Sequence, residues 1–245
     1  MFATESLQPA SSPRWQGNIL LDGQARSLFS ARSEGGRELA SQISDYIGLG
    51  LVLYPLVFDS LLVAGVVHQN ADVAFQMGMI SLQGVLLAGM VTNVTKTLTS
   101  RARPDDGRCQ TGGELACGTR NESFISGHTS GAFAGAGLIC AHHEHLNLYG
   151  SSLAGTLACG SALGLAASVG TLRMVADRHH LSDVLAGALV GFGSGYLLSK
   201  LTNYHFGSSR ARRSSDDFTE DADLASTLTP LAGKGTLGLL YTRYW

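Results

Sequence analysis

Five stretches of this chain carry hardly a charge: Tyr46–Val67, Ala74–Val94, Gly127–Ala141, Leu153–Leu172 and Asp183–Leu201. About twenty apolar residues wound as a helix match the thickness of a bilayer's hydrocarbon core. Strand-like alternation is nearly absent from these runs, which leaves helices as the building elements. Charged residues make up only 15% of the chain, well below the roughly 25% of a soluble domain. Glycine, alanine and serine crowd the apolar runs, as they do where helices approach closely in lipid. We therefore read an all-α fold: a bundle of about five long apolar helices spanning a membrane, in preference to a soluble bundle.

The flanks are different in kind. From about Leu20 to Ile43 the apolar Leu28, Phe29, Leu39 and Ile43 recur among polar neighbours as on an amphipathic helix, which Gly35-Gly36 is expected to break. The chain thus divides into a polar and amphipathic N-terminal segment (1–44), a helical domain (45–202) and a polar tail (203–245) whose last run, Gly235–Trp245, can form a strand. Met1–Pro13 has neither the basic start nor the apolar run of a signal peptide. A net charge of −2, with no basic patch interleaved with aromatics, argues against a nucleic-acid partner. Cys140 and Cys159 sit in apolar runs and read as small buried residues. Cys109 and Cys117 share one polar loop and would close a short disulfide in an oxidising compartment.

Three stretches carry chemistry. In the first, His179 and Asp183 are four residues apart, one helical turn, so the carboxylate can orient the imidazole and leave its other nitrogen as a nucleophile. Arg173, just ahead, offers a fork suited to phosphate oxygens. In the second, Lys96 and Arg103 are seven apart, two turns on one face, before Pro104 discourages further helix. Two stacked cations suit a dianionic phosphoryl group. In the third, Ser126-Gly127 at a helix start presents a hydroxyl and free N–H groups to an anion, and His128 can donate a proton to a leaving oxygen. Each stretch alone also fits something plainer: a helix cap, membrane-flanking cations, an N-cap serine beside an incidental histidine. Arg101 fits the membrane-flanking reading. Up-down threading places all three at one end of the bundle, which none of the plainer readings requires. The same threading puts His142, His143 and His145, a tempting zinc cluster, at the opposite end.

Together these residues resemble the type 2 phosphatidic acid phosphatases, which share a fold with the vanadium haloperoxidases. The family pattern is Lys-x6-Arg-Pro, then Pro-Ser-Gly-His, then Ser-Arg-x5-His-x3-Asp. This chain has Lys96…Arg103-Pro104, Ser126-Gly127-His128 and Arg173…His179…Asp183, with the resemblance covering about residues 45–200. Ile125 stands where the family has proline, and Leu172 where it has serine. The resemblance implies a metal-independent phosphatase acting on a lipid phosphomonoester or pyrophosphate, without a cofactor. His179 would form a phosphohistidine, oriented by Asp183, and His128 would protonate the departing alkoxide. Lys96, Arg103, Ser126, Gly127 and Arg173 would hold the phosphate oxygens. A vanadate-dependent haloperoxidase and a headgroup-binding membrane protein without turnover are the alternatives. The arginine cluster Ser209–Arg213 beyond the last apolar run favours the cytoplasm, so the site is expected to face outward from a bacterial inner membrane.

Overall fold

The computed structural model describes residues 12–106 and 121–202, together with the backbone of residues 226–233 and 236–243. The chain divides into two compact units, residues 1–203 and 204–245. Among its described residues the first holds a short helix α1 (Asp22–Phe29) and five long ones: α2 (Glu34–Val67), α3 (Ala71–Thr99), α4 (Gly127–His145), α5 (Ser152–Val175) and α6, which runs from Leu181 through Thr202. The second holds an antiparallel hairpin of β1 (Ser226–Gly233) and β2 (Thr236–Arg243), with Ser226 opposite Arg243 and Gly233 opposite Thr236. The apolar run at the end of the tail supplies β2.

Among the described residues four helices, α2, α3, α5 and α6, are long and apolar enough to cross a membrane. Their outward side chains are large and bare: Leu61, Val66, Leu86, Leu157 and Leu189 are 58–77% exposed. Such a shell would be intolerable in water and is what hydrocarbon accommodates. The chain is a helical membrane protein. The expected third span takes a different part. α4 packs against α2, α3, α5 and α6, and Ala132, Ala134, Ala136, Leu138 and Ala141 expose nothing. A helix buried on every side is a bundle's axis, and it needs small residues more than oily ones.

Glycines set the spacing around that axis. A Cβ on Gly135 would lie 2.1 Å from the Leu51 carbonyl oxygen of α2, and one on Gly191 of α6 would lie 2.1 Å from the Ser130 oxygen of α4. Both crossings are backbone against backbone. Cys140 of α4 and Cys159 of α5 are joined by a disulfide, correcting the expectation of two plain buried thiols. Cys109 and Cys117 lie outside the described residues.

The N-terminal region departs from expectation in where it breaks. The amphipathic pattern is interrupted between Phe29 and Glu34, and Gly35 and Gly36 form the first turn of α2. Ser33 caps that turn, its Oγ accepting the Gly36 N–H at 3.2 Å. The polar half of the pattern is therefore the start of the first long helix. Pro55 has no N–H to give, and the helix widens to a π-wound path over Tyr54–Val67. The Ser60 hydroxyl donates to the Pro55 carbonyl at 2.6 Å.

Gly191→Ala should cost about 1–3 kcal/mol, because a methyl there must push α4 and α6 apart. Gly164→Ala, on α5 with open space around it, should be neutral or slightly stabilising. Thermal melts of the two variants in detergent check both; equal melting temperatures would contradict the packing described here.

Candidate active site

The ends of α3 and α5 and the starts of α4 and α6 meet, and each is shaped by a local device. α3 stops at Thr99 because Ser100 turns left-handed (φ +40), its N–H bonding the Lys96 carbonyl. Lys96 is thus in the last turn of a helix, while Arg103 lies beyond it in the following loop. The two converge through that turn and not as one helical face. Ser126 caps α4, accepting from the Thr129 N–H at 3.5 Å and from the Thr129 hydroxyl at 2.9 Å. Gly127 leaves room for a cation: a Cβ on it would sit 3.4 Å from Lys96 Nζ. Arg173 occupies the last turn of α5, and Asp183 the first turn of α6.

His179 precedes α6 instead of lying on it; His180 is the N-cap, and Asp183 Oδ2 accepts the His180 N–H at 2.9 Å. The expected imidazole–carboxylate hydrogen bond is not made. His179 Nδ1 stands 3.7 Å from Asp183 Oδ2, too far for a hydrogen bond, and 2.9 Å from the Ser123 carbonyl oxygen. A carbonyl can only accept, so Nδ1 carries the proton and Nε2 keeps its lone pair. Asp183 acts one step removed: its Oδ2 accepts the Ser123 hydroxyl at 2.5 Å, which fixes the residue whose carbonyl fixes the histidine. Burial pushes the His179 imidazole down to about 3, which keeps it neutral near pH 7.

Two neighbourhoods were not legible beforehand. Asp45 of α2 pairs through one oxygen with His128 Nε2 (2.9 Å) and Arg173 Nη1 (3.0 Å), and Ser41 and Ser44 each accept from Arg173 at 3.2 Å. One charge near the start of an apolar run was the only signal of Asp45. Arg101 is the larger correction. It has no exposed surface and bonds Asp183 Oδ1 at 2.5 Å and Asp22 Oδ2 at 2.7 Å, so it is no membrane-flanking cation.

Arg103 and Arg178 complete the ring of charge. Arg178 Nη1 bonds Asp105 Oδ2 at 3.0 Å. Burial lowers the Arg103 guanidinium from its usual value, with Asp105 opposing and Arg178 adding to the shift. His142 and His143, at the far end of α4, belong to other contacts: His142 Nε2 lies 2.9 Å from the Ser81 hydroxyl, and His143 Nε2 is 3.5 Å from Asp59 Oδ2. Among the described residues no His, Cys, Asp or Glu cluster is arranged to hold a metal.

The PAP2 superfamily model matches residues 78–206, more than half of the chain. A stretch of 114 residues is 38% identical to the lipid A 1-phosphatase of Porphyromonas gingivalis, covering 46% of this chain and 21% of that protein. Over 175 residues the chain is 27% identical to the probable diacylglycerol pyrophosphate phosphatase 1 of Schizosaccharomyces pombe, 62% of each. It thus spans less than two thirds of either relative. Among solved structures, that of LpxE from Aquifex aeolicus superposes with a TM-score of 0.49 at 22% identity, over 74% of this chain and 96% of that one. With three ordered motifs meeting at one end of a helical bundle and a family match that contains them all, this chain belongs to the PAP2 superfamily.

Proposed function

We propose that this chain is a membrane phosphatase that hydrolyses a phosphorylated lipid through a phosphohistidine at His179. The observation that carries the reading is the Nδ1–H of His179 on the Ser123 carbonyl, which leaves Nε2 as a lone pair on a ring that feels the charges of Arg103 and Arg173. Nε2 attacks phosphorus, and the P–O bond to the lipid breaks on the opposite side. His128 gives its proton to the departing alkoxide, then takes one from the water that attacks the phosphohistidine, and inorganic phosphate leaves. Lys96, Arg103, Arg173, the Ser126 hydroxyl and the Gly127 N–H hold the three equatorial oxygens, where charge is spread in the transition state. Asp183 orients the nucleophile through Ser123.

A lipid substrate is supported by the position of the site at the ends of apolar helices and by the two relatives, whose names give lipid A and diacylglycerol pyrophosphate as their substrates. A phosphomonoester and a pyrophosphate both fit the cation set. The alternatives are separated by assay. Vanadate-dependent halide oxidation would indicate a haloperoxidase, and lipid binding without phosphate release a lapsed site.

We place the site facing outward from a bacterial inner membrane, on the strength of Ser209–Arg213 following α6. One observation favours the reverse: the Cys140–Cys159 disulfide lies in the halves of α4 and α5 away from the site, and disulfides persist in oxidising compartments.

His179→Ala should lower phosphate release from a lipid-phosphate panel by roughly 10⁴-fold or more, and His128→Ala by about 10²–10⁴-fold, with melting temperatures little changed. Near wild-type turnover in His179→Ala would sink the mechanism. Asp183→Asn should cost about 100-fold or more, since one amide cannot accept from Arg101, Ser123 and the His180 N–H together. Vanadate should inhibit as a phosphate mimic and chelators should leave the rate unchanged; strong chelator sensitivity would point to a metal enzyme. Sidedness is read by impermeant thiol labelling of intact cells, with single cysteines at 109 and near 210. Labelling at 109 alone is expected, and labelling near 210 alone reverses the orientation.

A further inference from the structure

The segment ahead of α2 lies outside the matched family region, yet it grips the loop that carries His179. Arg14 N donates to the Ser100 oxygen (3.1 Å) and Ala102 N to the Trp15 oxygen (3.0 Å), so residues 14 and 15 run beside 100–102. The Trp15 ring lies 4.2 Å from the Arg101 guanidinium carbon. Asp22, in the first turn of α1, is 1% exposed. Its Oδ1 accepts the Ser182 N–H at 2.8 Å, and its Oδ2 accepts the Ser182 hydroxyl at 2.8 Å and Arg101 Nη2 at 2.7 Å. One turn on, Arg26 makes two bonds to Asp177, Nε to Oδ1 at 2.8 Å and Nη2 to Oδ2 at 2.7 Å. Asp177 is left-handed (φ +57) and lies in the turn between Arg173 and His179, two residues before the histidine. The Ala31 N–H closes the segment onto the Val175 carbonyl at 3.0 Å.

Burying an arginine is costly unless its charge is paired and its N–H groups are bonded. Both terminal nitrogens of Arg101 are matched, Nη1 by Asp183 on α6 and the Ser182 hydroxyl and Nη2 by Asp22 on α1 and the Gly17 carbonyl, while Nε makes no hydrogen bond. Burial pushes the Asp22 carboxyl up, but the Ile19 and Ser182 N–H groups, Arg101 and the Ser182 hydroxyl outweigh it and hold the group ionised. The contacts then run without a gap from α1 to the imidazole. Asp22 holds Arg101, Arg101 holds Asp183, Asp183 holds the Ser123 hydroxyl, and the Ser123 carbonyl takes the His179 Nδ1–H.

We propose that Arg101 and Asp22 are positioning residues for the nucleophile, and that residues 14–31 are part of the catalytic apparatus. The proposal rests on His179 being that nucleophile. Arg101 touches no phosphate oxygen in this scheme. Its work is to restrain one carboxylate, which restrains Ser123, which selects the His179 tautomer and ring angle. An ammonium cannot reproduce this, because a single point charge does not reach two carboxylates in fork geometry. Asp22 is needed because an arginine with only one anion would be free to tilt away from Asp183.

The test uses the full chain in detergent, with wild type, His179→Gln, Arg101→Lys, Arg101→Met and Asp22→Asn side by side. Single-turnover phosphate release should fall about 100-fold in both Arg101 variants and about 10-fold in Asp22→Asn. The inhibition constant of inorganic phosphate should stay within about threefold in all three, because the cations that bind it are untouched. The ¹⁵N histidine spectrum supplies a reading that lost stability would not give. The His179 signals, identified by their absence in His179→Gln, should show Nδ1–H in wild type and mixed tautomers in the Arg101 variants. If Arg101→Met does not fold, Arg101→Lys carries the test. Wild-type single-turnover rates in folded Arg101→Lys, or an unchanged His179 tautomer with a lowered rate, overturn the proposal. A fully active His179→Gln overturns the nucleophile assignment instead, and the proposal with it.

Discussion

Mutual repulsion among the cations at one end of the bundle is the constraint on which the rest of this structure depends. Lys96, Arg103, Arg173 and Arg178 act on one another across a site largely shielded from water. Two unit charges 4 Å apart repel by about 4 kcal/mol at an effective dielectric of 20. A pocket able to bind a dianion must hold this arrangement while empty, so it is underpinned by carboxylates. Asp45 takes Arg173, Asp105 takes Arg178, and Asp183 with Asp22 takes Arg101.

The helical axis serves the same end by different means. α4 brings Ser126, Gly127 and His128 to the site on a helix nearly free of bulk, so α2 and α6 can close in to backbone contact. The Ser126 N–H bonds the Asp183 carbonyl at 3.0 Å, tying the start of α4 to the start of α6. Two parts of the proposed phosphate site therefore share one fixed point. A change of an ångström in the α4–α6 spacing would be felt at His179, the proposed nucleophile.

Much of this was legible because it is periodic or motif-bound. Apolar runs announced the helices, and the spacings Lys96…Arg103, Ser126-Gly127-His128 and Arg173…His179…Asp183 pointed to the candidate site. What spacing could not show was how those residues touch. A four-residue interval suggested a helical His179–Asp183 pair, but the helix begins two residues after His179, and a backbone carbonyl takes the place assigned to the carboxylate. Nor can a sequence tell a solvated arginine from one sealed between two acids 79 and 82 positions away in opposite directions. Arg101 looked like a membrane-edge charge because its partners are distant in the chain. The Cys140–Cys159 pairing was hidden for the same reason: which faces of two apolar helices meet is decided by packing.

The π-wound stretch of α2 carries Asp59, fully enclosed and bonded by the Tyr149 hydroxyl at 2.9 Å, with Tyr54 closing on the same hydroxyl. A carboxylate at this depth acts as a key in a lock. Turning α2 by one residue's angle would swing the acid toward lipid, at a cost of about 2.5–3.5 kcal/mol. The helix therefore has a fixed azimuth, and that azimuth also aims Ser41, Ser44 and Asp45 at Arg173, far along the same rod. An acid far along the helix from the candidate site thus sets the bearing of the groups that steady Arg173.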